Sequence, residues 1–174
     1  MSRAFTKEGD GERELLVVPR APLPSGVANY VTPRGLRRLQ AEHAALEQER
    51  SAVEAADPAD RVARLNALAQ RAAELQARLA SAQLVDPRTQ PHDRVRFGAD
   101  VRVRHESGTE SRYRIVGVDE ADAGAGLLAF SAPLARALLG KRVGEVALLQ
   151  TPRSSEELEV LEIGFAPGDA LAEL

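Results

Sequence analysis

LNALAQRAAELQARLASA, residues 65–82, places Leu65, Leu68, Ala72, Leu75, Leu79 and Ala82 at spacings of 3, 4, 3, 4 and 3. That alternation is the seam of a two-stranded coiled coil, in which apolar side chains line one narrow helix face. Upstream, Leu36, Leu39, His43, Leu46, Arg50 and Val53 repeat the same alternation with two polar members. Asp57-Pro58 punctuates the chain between them. Thr32-Pro33 supplies an N-cap and a first-turn proline, and predicts a helix running to about Ala56. Asp57-Pro58 restarts a second helix that ends before Pro87. Two helices of matched length joined by a tight turn make an antiparallel hairpin, a finger with a tip.

From Val95 the period changes to two. Residues 95–97, 101–104 and 113–116 are strand-like, and Ser107-Gly108 turns between the last two. Residues 127–130 predict a further short strand, Pro133 to Leu139 one short helix closed by Gly140, and residues 146–149 and 158–163 a final strand pair. The expected fold is α+β: a helical hairpin followed by a mainly antiparallel sheet with one helix. The boundaries are an extended, Pro-rich arm over 1–30, the hairpin over 31–87, the sheet domain over 93–166 and a tail over 167–174.

Only 3% of the 174 residues are aromatic and none is Cys, so the core is aliphatic and thiolate metal sites and disulfides are excluded. A net charge of −3 from 23 basic and 26 acidic side chains argues against wholesale duplex-DNA binding, which draws its affinity from phosphate neutralisation. The early apolar run Leu15-Leu16-Val17-Val18 is too short for a signal peptide or a membrane span. These features predict a cytoplasmic protein with no membrane partner, expected to be a monomer.

With Leu65 and Leu36 at the first seam position, Arg64, Arg71 and Arg78 flank one seam and Glu42 and Glu49 the other. A turn near Asp57 sets Arg64 opposite Glu49 and Arg71 opposite Glu42. The stripe reads as an ion-pair ladder fixing register, or as a phosphate track for RNA; the ladder is preferred for Arg64 and Arg71. Arg78 has no acid opposite it in this register, and with Arg34, Arg37 and Arg38 makes a candidate RNA-facing basic patch. His43, His92 and His105 lack ligand spacing, so no structural metal is assigned.

The pieces together resemble the Gre family of bacterial transcript-cleavage factors, closest to GreB-like members. The residues that carry the resemblance are Ile115-Val116-Gly117-Val118-Asp119-Glu120-Ala121-Asp122, Pro133 through Lys141, Val143-Gly144-Glu145, Phe97-Gly98-Ala99, Thr151-Pro152, Ala82 through Asp86, and Tyr30 through Gly35. The resemblance implies a coiled-coil hairpin and a C-terminal domain of FKBP-like fold. It further implies docking at the rim of the secondary channel of RNA polymerase, with the finger entering beside nascent RNA or DNA. Two acidic tip residues of such proteins help hold a second Mg²⁺ at the polymerase's own active centre, which then hydrolyses backtracked RNA. The protein is then no enzyme itself; it stimulates the intrinsic hydrolysis of the polymerase.

Where the family carries Gly-Asp-x-x-Glu-Asn-Ala at the tip, this chain has Ala56-Asp57-Pro58-Ala59-Asp60-Arg61-Val62. Asp57 and Asp60 keep the acidic spacing and are the candidate Mg²⁺ ligands in trans. They read equally as a helix cap and a dipole-compensating acid, which the Asp-Pro context favours. The hairpin is also about one heptad per arm shorter than the family norm, a withdrawal of ~10 Å at 1.5 Å per residue. In the docking loop, Ser131-Ala132-Pro133 replaces the usual Asp-Ser-Pro or Asn-Ser-Pro, which leaves Ser131, Pro133 and Arg136 as candidate polymerase contacts, while Leu134 and Leu138 face the core. The expected function is a secondary-channel regulator of elongation with weak or lost cleavage stimulation. Alternatives are a fully active cleavage factor and a regulator of another partner such as nucleoside diphosphate kinase. A prolyl isomerase would need an aromatic pocket, for which the second half offers only Phe97, Tyr113, Phe130 and Phe165.

Overall fold

The computed structural model describes residues 20–55, 61–152 and 154–165. The expected arm is therefore described only from Arg20, and the 167–174 tail lies outside the described residues.

The two heptad stretches form long helices, α1 (Pro33–Glu54) and α2 (Arg61–Ala80), each about 30 Å long at 1.5 Å per residue. Thr32 caps α1, its hydroxyl accepting the Gly35 N–H at 2.9 Å, and Pro33 sits in the first turn. Leu39, Leu46 and Val53 of α1 share one buried cluster with Leu68 and Leu75 of α2, and Leu36, Leu65, Leu79 and Ala82 pack against it. Of the polar seam members, His43 is half-buried, whereas Arg50 is exposed and pairs with Glu54 one turn on at 3.2 Å.

The second helix stops earlier than its pattern predicts. The chain leaves α2 at Ala80 and forms β2 (Ala82–Leu84), parallel to β1 (Asn29–Val31), with Asn29 beside Ala82 and Val31 beside Leu84. The cause lies 49 residues away: the Asn29 side-chain amide donates to the Arg78 carbonyl at 2.8 Å, satisfying an acceptor left over at the helix end. Because β1 precedes α1 and β2 follows α2, the pairing holds the entry and exit of the helix pair at one end. The helices consequently run antiparallel.

Residues 95–97 do not form the expected strand. Val95 instead exchanges backbone hydrogen bonds with Gly140 and Lys141 at 2.8 and 2.7 Å, and the chain turns at Gly98, whose φ is +83°. A Cβ there would also lie 2.8 Å from Pro87 Cβ. Five strands follow: β3 (Asp100–His105), β4 (Glu110–Val116), β5 (Leu127–Ala129), β6 (Val146–Gln150) and β7 (Ser155–Gly164). Their spatial order is β5-β4-β3-β7-β6, antiparallel except for the parallel β4–β5 pair. A short helix, α3 (Pro133–Leu138), precedes β6.

Alternation sorts the sheet's two faces. Val101, Val103, Ile115, Leu158 and Val160 are buried together with Ala135 and Leu138 of α3. On the other face Arg102 meets Glu162 at 2.8 Å and Glu110 at 3.1 Å, and Arg104 meets Glu159 at 3.1 Å. Leu134 and Leu138 face the core as expected. Among the described residues no helix is long and apolar enough to cross a membrane.

Leu75 has no exposed surface. Leu75→Ala should therefore cost about 2–5 kcal/mol of stability in denaturant unfolding, whereas Arg50→Ala at an exposed pair should cost about 0–1 kcal/mol.

Candidate functional site

Charged and polar side chains converge where the helix pair meets the sheet domain. A 3₁₀ turn at Val118–Glu120, just after β4, presents two adjacent acids to the helix base. Glu120 is only 2% exposed. Its carboxylate accepts the Thr32 hydroxyl, with Oε1 at 2.7 Å and Oε2 at 2.8 Å, and the Thr32 N–H at 3.4 Å. Thr32 thus caps α1 while being held from behind by a carboxylate at the positive end of the helix dipole. The approach is close enough that a Cβ on Gly35 would lie 2.5 Å from Glu120 Cδ.

Asp119 turns the other way. Arg20 donates to it at 2.8 Å and to Glu42 of α1 at 2.5 Å, and Arg78 of α2 lies 3.3 Å from it. Arg78 also donates to the Ala21 carbonyl. One acid therefore gathers the chain before β1, both helices and the sheet domain.

This joint corrects the reading of Arg78. It is 7% exposed and committed to Asp119 and Ala21, so it does not belong to an RNA-facing patch. Its long side chain is covered by the segment at residues 20–21, whose placement no heptad pattern encodes. The other three arginines do not share one face either. Arg34 and Arg37 line a cleft beside the 86–88 turn, while Arg38 lines a separate groove with Arg20, Glu42 and Asp119.

The expected ladder is corrected in register. Glu49 contacts Arg71 at 3.9 Å, not Arg64 as the opposite residue, and Glu42 is taken by Arg20. Exposed ion pairs contribute about 0–1 kcal/mol each, too little to set register against burial of the leucine layers.

The docking-loop candidates sit on the surface beside α3: Ser131 is half-buried, and Pro133 and Arg136 are exposed. Phe130, just before them, packs with Phe97 and Tyr30 in a triangle of ring centroids 5.7–5.8 Å apart. Phe165 instead stacks on His92 at 4.3 Å, and Tyr113 packs on the sheet core. Phe97 and Phe130 thus touch each other, while Tyr113, Phe130 and Phe165 pack against the sheet core.

Asp57 and Asp60 lie outside the described residues. Among the described residues no group of three or more His, Asp or Glu side chains is arranged to hold a metal ion. His105 bridges three strands, its Nδ1 2.7 Å from Glu156 and its Nε2 2.9 Å from Ser111.

Asp86, Arg88, Arg114, Asp119 and Glu120 were not singled out by sequence reasoning as site residues. Asp86-Pro87 has the same capping pattern as Asp57-Pro58, and that signal was available. Asp86 indeed caps a 3₁₀ turn at Pro87–Thr89 and grips Arg88 at 3.0 and 2.6 Å. The hydrogen bonds from the Arg88 side chain, with its backbone N–H second, lower the Asp86 carboxyl to about 2.

Residues 90–165 match the family model described as transcription elongation factor, GreA/GreB, C-terminal. A transcription elongation factor GreA from a Nitratiruptor species is 34% identical over 152 residues, spanning 79% of this chain and 93% of that protein. A GreB from Yersinia pestis is 34% identical over 157 residues, spanning 82% and 92%. A solved GreA/GreB structure from Nitrosomonas europaea is 22% identical, covers 79% of this chain and 98% of that one, and superposes with a TM-score of 0.38.

Glu120→Ala should strand the Thr32 donors and cost about 1–3 kcal/mol in chemical denaturation; a double-mutant cycle with Thr32→Ala should show coupling. In an NMR titration Asp86 should have its midpoint near 2, and Arg88→Gln should return it toward the usual carboxylate value of about 4. Because the folded value is depressed, the Asp86–Arg88 contribution is complete above that usual value and disappears as pH falls toward 2.

Proposed function

This chain belongs to the GreA/GreB family of transcription elongation factors, and on that premise we propose that it regulates RNA polymerase by entering its secondary channel. The helix pair serves as a coiled-coil finger, and the sheet domain, of FKBP-like type, anchors it at the channel rim through Ser131, Pro133 and Arg136. Arg37 and Arg38, exposed on the first turns of α1, give the finger's base a basic side toward the nucleic acid. The protein acts in the cytoplasm and supplies no catalytic centre of its own.

The observation that supports this reading is the buried joint at Asp119 and Glu120, which fastens the finger to its anchor through both helices. A probe that must deliver its end to a fixed depth needs a base that does not swivel. Asp57 and Asp60 are the carboxylates nearest in sequence to the Asp-x-x-Glu pair of the family tip. Mg²⁺ held there together with the polymerase would activate water for attack on a phosphodiester. The side chain at position 60 is one methylene shorter than the family's Glu, and the finger is about a heptad shorter per arm, ~10 Å at 1.5 Å per residue. Oxygen ligands must come within ~2–2.5 Å of their cation, so weak or lost cleavage stimulation is the expected outcome.

Core polymerase should retain the protein in a pull-down at micromolar concentration. Arg136→Glu should weaken that retention. In stalled complexes RNA cleavage should remain near background, and Asp57→Ala with Asp60→Ala should change it little. Robust cleavage that vanishes in those variants would instead restore full activity to the tip. Absence of retention by polymerase would overturn the reading and direct attention to another protein partner, nucleoside diphosphate kinase being the first to try.

A further inference from the structure

The five-stranded sheet has one covered edge and one open edge. At the β5 end, Asp122 and Leu127 exchange backbone hydrogen bonds at 2.9 Å, so the preceding loop covers part of that short strand. At the other end no strand of the described residues lies beyond β6. We propose that β6 is a self-pairing edge: two copies of this chain join antiparallel through it, about a two-fold axis at Leu148, in place of the expected monomer.

The register of the β6–β7 hairpin decides which groups face outward. Across it, the Thr151 N–H donates to the Ser154 carbonyl at 2.8 Å and the Val160 N–H to the Glu145 carbonyl at 2.9 Å. Bonded pairs alternate along an antiparallel ladder, so Leu149 and Ala147 also aim their backbone groups at β7. Val146, Leu148 and Gln150 therefore turn their N–H and C=O groups to the free edge. The same three residues carry their side chains on the outer face of the sheet, because Ala147 is buried and Leu149 packs on the core. Val146 is 46% exposed and Leu148 49%. Edge strands that must stay single carry a charge, a proline or a bulge. Val146-Ala147-Leu148-Leu149-Gln150 has none of these.

A second copy matches this edge group for group. Centred on Leu148, it sets Leu148 opposite its own counterpart and Val146 opposite Gln150. All three outward residues then find partners, about six main-chain hydrogen bonds together, and any shifted register loses some of them. The strand holds no charge that would meet its own counterpart. On the outer face Glu157 and Glu159 of β7 stand beside Leu148 and Val146. Three strand spacings separate them from their counterparts, ~14 Å at about 4.8 Å each, beyond the ~8 Å screening length of physiological salt. Glu159 is also paired with Arg104 at 3.1 Å. The same two acids disfavour an acidic peptide as the occupant. Because the β5 edge is covered, growth stops at two copies and the interface is isologous. One strand pair buries less than the ~1,200 Å² of a standard interface, so the dimer is weak and concentration-dependent.

The test is sedimentation velocity of the full chain, without polymerase, from about 1 to 500 µM. A concentration-dependent shift from monomer to dimer is expected, with nothing larger. Leu148→Lys puts like charges opposite each other at the axis and should weaken association about tenfold or more, and Leu148→Glu should do the same. An equimolar mixture of these two variants sets opposite charges face to face and should restore the dimer. Val62→Lys changes another exposed apolar side chain, 71% exposed at the start of α2, and should leave association unchanged. All three variants should keep the circular dichroism of the unaltered chain. A monomer at every concentration, a dimer that Leu148→Lys does not weaken, an equal loss in Val62→Lys, no recovery on mixing, or assembly beyond the dimer would overturn the self-pairing edge.

Discussion

Two consecutive carboxylates, Asp119 and Glu120, hold the helix pair to the sheet domain. A buried carboxylate is tolerated only when charge and hydrogen bonds compensate its lost hydration. Here the compensating groups come from everything that must be held: Thr32 at the head of α1, Arg78 near the end of α2, and Arg20 before β1. Removing any one leaves an acid short of a partner in a dry place. That penalty makes the joint directional in a way that apolar packing alone would not. Leucine layers can slide, whereas a buried carboxylate that loses its hydroxyl donor is left unsatisfied.

The same constraint explains two sequence choices that otherwise look unremarkable. Gly35 lies in a helix, where glycine is unfavourable by about 1 kcal/mol relative to Ala. It is there because Glu120 occupies the space a Cβ would need. Gly117, one residue before the 3₁₀ turn, is pressed against the Tyr30 carbonyl, 2.7 Å from where its Cβ would stand. Both glycines let the two halves approach, and the Tyr30–Phe97–Phe130 triangle closes the adjoining side. In a chain with six aromatic residues, three meet at this seam.

A joint at the base of a long helix pair is a matter of lever geometry. The helices are each about 30 Å long, and any swivel at the base would be multiplied along that length. A base locked by salt bridges on both helices and a cap on one of them suppresses that swivel. Arg20, Arg34, Arg37, Arg38 and Arg78 also lie about this base.

The sequence by itself determined the elements whose cause is local. Heptad spacing dictated two long helices, Thr32-Pro33 the start of the first, Ser107-Gly108 the β3–β4 turn, and Pro133 with Gly140 the limits of α3. Each follows from neighbours within a turn or two. Only the tertiary structure decided that α2 ends at Ala80, that residues 29–31 and 82–84 pair as parallel strands, that residues 95–97 follow a turn and not a strand, and that Arg78 is buried. The partners responsible are remote along the chain: Asn29 lies 49 residues from Arg78, and Thr32 lies 88 residues from Glu120. A periodic pattern reports which face of a helix is apolar. It carries no record of which distant carboxylate will neutralise a charge on that helix, because that depends on where the folded chain returns.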